Sequence, residues 1–180
     1  MGPQWEWNFQ PRKDKWSLTE KRGWLRLHAF KPLEQNNLLK AGNTLTQRTF
    51  RTSTNEVIIK LDISGMADGE HTGLSHFGSP NYSAIGVACE GTSKYLEFNV
   101  KGIIAKGVML LGNDLWLRST WGLDGKSQYY YSVDGKSFIA FDSIYQMMWG
   151  AYRGDRIAMY NYNNKAAEGY VDIDYFHYAF

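Results

Sequence analysis

Period-two alternation recurs from one segment of this chain to the next, and it restricts the fold more than any other feature. In "EVIIKLDIS", Val57, Ile59, Leu61 and Ile63 share one parity. In "KYLEFNV" the inward set is Leu96, Phe98 and Val100, and "NDLWLRSTW" sets Leu115 and Leu117 against Trp116 and Arg118. Side chains alternate across a strand, so each pattern places one apolar face on a core. "QYYYSVDGKSFIAF" reads as two strands around Asp134-Gly135, a hairpin signal, and "RIAMYNY" and "GYVDIDYFHYAF" add further strands. Turn residues fill "SGMADGEHTG", "FGSPNYS" and "WGLDGKSQ". No segment has a 3.6-residue period, and "DSIYQMMWG" holds at most one helical turn. With no repeat and no break in composition, the expected fold is all-β: a single antiparallel two-sheet β-sandwich of jelly-roll type over residues 1–180, with Met1-Gly2-Pro3 reading as an added start.

The strand "WLRLH" raises the question of function. Leu25 and Leu27 take the core parity, which sends Trp24, Arg26 and His28 to the other face. "NTLTQRTF" repeats the arrangement, with Leu45 inward and Thr44, Thr46 and Arg48 outward. If the two strands are neighbours in a curved sheet, they line a groove; otherwise the same residues merely solvate an outer face. Composition favours a ligand. Aromatic residues make up 16% of the chain, more than one core easily hides, so some rings are expected on a surface that stacks on something. The net charge of +2, without a basic block, argues against nucleic acid and suits a neutral polar ligand. Cys89 is the only cysteine, so there is no disulfide framework and no cysteine-based metal site. No apolar run reaches membrane-span length and no signal peptide is visible, so no membrane partner is expected.

The blocks "QWEWNFQP", "DKWSLTEKRGWLRL", "LLKAGNTLTQRT", "LDISGMADGEHTGLSHF", "YYYSVDGKSF" and "GYVDIDYFHY" follow one another in order. Together they resemble the C-terminal β-sandwich module of family 43 glycoside hydrolases, the β-xylosidases and α-L-arabinofuranosidases. The resemblance runs from about Trp5 to Tyr178, and its most specific blocks are "WSLTE…GWLRL" and "NTLTQR". It implies a concanavalin A-like fold and a xylan-binding carbohydrate-binding module. In such enzymes a five-bladed propeller holds the catalytic carboxylates, and none is present here. A secreted parent would place the module outside the cell, and a cytoplasmic parent is the other reading.

Hydrolysis by this chain is not expected. Glycosidases need two suitably spaced carboxyl groups, and the nearest approach, Asp172 and Asp174 in "DID", lies among bulky aromatics near the C-terminus. There is no G-x-S-x-G elbow, and the four histidines show no zinc spacing. Sandwich modules of this kind often hold one structural Ca²⁺, for which Glu6 and Asp172 or Asp174 could provide oxygens; a solvated or salt-bridged pair is the plainer reading. Xylan or xylo-oligosaccharide is the expected ligand, because aromatic rings take a pyranose face while planar polar groups take its hydroxyls. Trp24, Trp121, Tyr160 and Tyr162 are the stacking candidates. Glu20, Arg26, His28, Thr44, Thr46, Gln47, Arg48 and Asn161 are the polar ones. The alternative role is structural: a polar strand face that docks on the catalytic propeller and shapes its active-site rim.

Overall fold

A computed structural model of the chain describes residues 2–78, 80–149 and 154–180, without the side chain of Asp142. Fourteen strands form two seven-stranded sheets, and every pairing is antiparallel among the described residues. The first sheet holds β1 (Trp5–Trp7), β4 (Leu45–Arg48), β6 (Glu70–Phe77), β7 (Tyr82–Glu90), β8 (Ser93–Val100), β9 (Ile103–Leu110) and β13 (Arg156–Asn163). Its order is β1-β4-β13-β6-β7-β8-β9. The second holds β2 (Trp16–Ser17), β3 (Leu25–His28), β5 (Asn55–Asp62), β10 (Asp114–Trp121), β11 (Lys126–Ser132), β12 (Ile139–Gln146) and β14 (Tyr170–Ala179), in the order β12-β11-β10-β5-β14-β3-β2. Among the described residues helix is limited to two three-residue 3₁₀ turns, Lys13–Lys15 and Leu38–Lys40. The stretch "DSIYQMMWG", which allows at most one helical turn, continues β12 through Gln146, and its last residue, Gly150, lies outside the described residues.

The core lies between the sheets and is filled by the residues that alternation assigns to it. Leu25, Leu27, Leu45, Val57, Ile59, Leu61, Ile63, Leu96, Leu115 and Leu117 all belong to one buried cluster. Asp134-Gly135 turns the chain between β11 and β12, with Gly135 at φ +71°, a region a side chain would strain. Polar groups cross the core in pairs. Asn161 Nδ2 donates to the Leu27 carbonyl at 2.7 Å, and His76 Nε2 lies 2.8 Å from Ser119 Oγ. Full burial pulls His76 down to about 3, so it is neutral.

A second buried cluster lies on the outer side of the first sheet. Leu38 and Ala41 lie there with Phe77, Tyr82, Ala158, Tyr160 and Tyr162. The segment between β3 and β4 thus crosses that face and covers it. At the far side of the sandwich the edge strands β9 and β12 lie together, with Phe98 of β8 stacked 5.5 Å from Phe141, and Ile103, Val108, Met109, Ile139 and Ile144 are exposed along them.

Candidate functional site

Of the sequence candidates, Glu20, Trp24, Arg26 and His28 come together, on the outer face of the second sheet. Arg26 makes a fork with Asp172 on the neighbouring β14, Nε to Oδ1 at 2.8 Å and Nη2 to Oδ2 at 2.9 Å. Its Nη1 donates to Glu20 at 3.2 Å, and His28 Nε2 lies 3.0 Å from the same carboxylate. Those contacts, that with His28 first, hold the Glu20 carboxyl below the usual range. Lys21 Nζ lies between Asp62 at 2.8 Å and Asp172 at 3.4 Å. Burial pushes Asp62 up, but hydrogen bonds from Lys21 and the Ser64 N–H prevail and bring it to about 2.

The rings on this face already carry cations. Lys21 Nζ is 3.6 Å from the centre of the Trp24 ring, Arg26 lies 3.8 Å over Tyr170, and Arg118 lies 4.1 Å over Tyr130. Side chains of one parity on adjacent strands always meet, so a polar face of opposite charges closes on itself. It is a lattice of internal ion pairs and leaves little ring face for a sugar.

The remaining candidates lie elsewhere. β3 and β4 belong to different sheets, so Trp24, Arg26 and His28 share no groove with Thr44, Thr46 and Arg48. Alternation reports which way a side chain points, not which strand it pairs with. Thr44 and Thr46 are buried and donate to the Ala41 and Glu6 carbonyls. Gln47 shares the parity of Leu45 and is half-buried, while Arg48 is exposed at the end of β4. Trp121 is 4% exposed, packed edge-on against His76, and its Nε1 donates to the Phe50 carbonyl. Tyr160 and Tyr162 are buried under the crossing segment, and Asn161 is the strut to Leu27. Tyr160, Asn161 and Tyr162 present no surface to a polysaccharide, and Trp121 presents little.

The expected calcium ligands do not form a site. Glu6 lies in the first sheet and pairs with Arg156 at 2.6 Å. Asp172 and Asp174 lie in the second sheet and pair with Arg26 and Lys60. The Lys21 ammonium stands where Asp62 and Asp172 would direct a cation. Among the described residues no group of three or more His, Cys, Asp or Glu is placed to hold a metal ion.

Sequence reasoning missed two open cavities at one end of the sandwich, beside the segment from Arg48 to Glu56. One, of about 510 Å³, is lined by Glu6, Arg48, Arg51, Trp149, Asp155 and Arg156 among others. The other, of about 540 Å³, lies between Ser53, Glu56, Trp121, Gln128 and Phe180. Phe50, Leu123 and Phe180 are exposed nearby, with Phe50 and Phe180 in ring contact at 4.5 Å. Burial pushes the Asp155 carboxyl up to about 6 against a hydrogen bond from the Met148 N–H. The available signal was "GDRIAMY": an Asp-Arg pair leading straight into a strand with no exposed parity.

Two seven-stranded antiparallel sheets packed face to face around one core define a sandwich of concanavalin A-like type. Residues 1–179 match the family described as the β-xylosidase C-terminal concanavalin A-like domain, and the chain belongs to that family. The family is the non-catalytic C-terminal part of family 43 enzymes. A β-xylosidase of Formosa agariphila is 32% identical across the whole chain, which spans 33% of that protein. A bifunctional GH43-CE protein of Bacteroides eggerthii superposes with a TM-score of 0.90 at 29% identity, over 99% of this chain and 24% of that one. An engineered GH43 glycoside hydrolase with endo-xylanase and exo-arabinofuranosidase activity gives 0.87 at 24% identity, over 98% and 38% of the two chains; at that identity it speaks for the fold alone. The chain therefore spans about a quarter to two fifths of the length of these proteins.

Proposed function

We propose that the chain is a non-catalytic accessory module that works against a family 43 catalytic domain, contacting it through the end of the sandwich that carries the two cavities. The supporting observation is how much of both broad faces is already taken up. Ion pairs occupy the β3-β14-β5 part of one, and the segment from Ala29 to Asn43 covers the β13-β6-β7 part of the other. The open, mixed polar and aromatic surface lies at the end holding Phe50, Leu123, Trp149 and Phe180. Continuity adds to this. The family is a C-terminal domain, so in its enzymes the catalytic part leads into the strand equivalent to β1, and Glu6 of β1 lines the first cavity.

A second reading, direct recognition of xylan or xylo-oligosaccharide, is favoured by one feature. The cavity beside Trp149 combines a ring with three guanidinium groups and has a volume in the range of sugar-sized sites. The two readings separate in one experiment. The chain is run in affinity gels containing soluble xylan, β-glucan or mannan, and is titrated separately with a family 43 catalytic domain stripped of its own module. The accessory reading expects binding to the catalytic domain; retardation by xylan with no such binding would overturn it.

A further inference from the structure

We propose that the cavity around Arg156 is a binding site for the carboxylate of an acidic sugar, a hexuronic acid carried on the polysaccharide. This rests on the second reading above, direct contact of the module with sugar, and names the substituent that the contact selects.

Arg156 opens β13 and is 6% exposed. Its Nη1 is fixed by Glu6 Oε2 at 2.6 Å and by Thr46 Oγ1 at 3.4 Å. Among the described residues its Nε has no hydrogen-bond partner and its Nη2 donates to none. The unused pair, Nε and Nη2, is the edge with which a guanidinium grips a carboxylate in two parallel hydrogen bonds. A buried donor left alone is costly, so this edge is prepared for an acceptor that the described residues do not provide.

The surroundings select the charge of that acceptor. Arg48 and Arg51 line the same cavity, and neither makes an ion pair among the described residues. Among the described residues three guanidinium groups face two carboxyls, Glu6 and Asp155, and burial pushes the Asp155 carboxyl up to about 6. Among those residues the balance is positive, which suits an anion, and a monoanion better than a dianion that would meet Glu6. Arg51 lies 4.8 Å from the centre of the Trp149 ring, so one wall is a flat aromatic and guanidinium stack. A volume of about 510 Å³ admits a single sugar ring with its substituents.

The test is calorimetric titration of the chain with glucuronate, glucose, a glucuronosyl-substituted xylo-oligosaccharide, the unsubstituted oligosaccharide and inorganic phosphate. The substituted oligosaccharide is expected to bind at least tenfold more tightly than the unsubstituted one, and glucuronate more tightly than glucose. Arg48→Gln and Arg51→Gln, both at exposed positions, should each weaken the substituted ligand roughly tenfold while leaving the melting temperature unchanged. Equal binding of substituted and unsubstituted oligosaccharides would overturn the uronate site and leave the sugar reading intact. No binding of any sugar would overturn both, and the cavity would then be a socket for a carboxylate of the catalytic domain. Phosphate binding as tightly as glucuronate would reduce the cavity to a general anion trap and also overturn the proposal.

Discussion

Replacing Glu70 with glutamine should stabilise this protein, and by an amount that depends on pH. Glu70 begins β6 and is fully buried. Its Oε2 accepts from the Ala67 N–H at 2.7 Å, but among the described residues Oε1 has no partner, and neither does Oδ1 of Asn161. Two acceptors without a donor point to a missing proton. Burial raises the Glu70 carboxyl from 4.5 to about 7, against the Ala67 N–H, the Asn161 side chain and Lys94. The folded state thus holds the proton more tightly than the unfolded chain does. Stability from this group is complete below about 4.5 and is lost as pH rises through about 7. At about 1.4 kcal/mol per pH unit, the loss above that range is about 3 kcal/mol. Glutamine keeps the acceptor for Ala67 and supplies an N–H for Asn161 at every pH. Urea unfolding of both proteins at pH 4.5, 6, 7.5 and 8.5 reads the difference. The variant should match the parent at pH 4.5 and exceed it by about 3 kcal/mol at pH 8.5, or about 6–12 °C in Tm. Asp155, raised with the same sign, and His76, lowered so that its contribution fades as pH falls below 6.5, titrate in both proteins and cancel. A difference that does not change with pH, or a variant less stable at pH 8.5, would refute the reasoning.

Two further outcomes follow from the ion-pair lattice. Arg26→Ala leaves the Asp172 carboxylate, 3% exposed, with Lys21 alone, and should lower stability by about 2–4 kcal/mol in denaturant titration; a loss under about 0.5 kcal/mol would show that the lattice is ornamental. Treatment with a strong chelator should leave the melting temperature unchanged, because the carboxylates expected to bind calcium are held by Arg156, Arg26, Lys21 and Lys60; a fall of several degrees, reversed by Ca²⁺, would contradict that.

The fold could be read from the sequence because burial on one face of a strand is a local property. Leu25, Leu27, Val57, Ile59 and Leu117 announce their direction by position alone. Strand pairing is not local: β3 and β4 follow each other along the chain yet lie in different sheets, which separates Arg26 from Thr46. The covering segment from Ala29 to Asn43 was equally invisible. It turns the outer parity of β13 into a second core, so Tyr160 and Tyr162 look like stacking rings in sequence and pack as buried ones in the structure. The partners of Arg26 and Trp24 come from β14 and from the Glu20-Lys21 turn, and only three-dimensional pairing shows that their charges are already met. Arg156 went unnoticed because an arginine at the head of an apolar strand usually reaches solvent, whereas this one is held over β4 by Glu6.

Hydrogen-exchange mass spectrometry of the chain, alone and with a family 43 catalytic domain lacking its own module, tests the central claim most directly. The account predicts new protection in residues 48–56 and 121–126, around the two cavities, with the outer-face strand Leu25–His28, residues 170–176 of β14 and the edge strands Ile103–Leu110 and Ile139–Gln146 unchanged. Protection confined to the edge strands or to the ion-paired face, with residues 48–56 exchanging as in the free module, would contradict it.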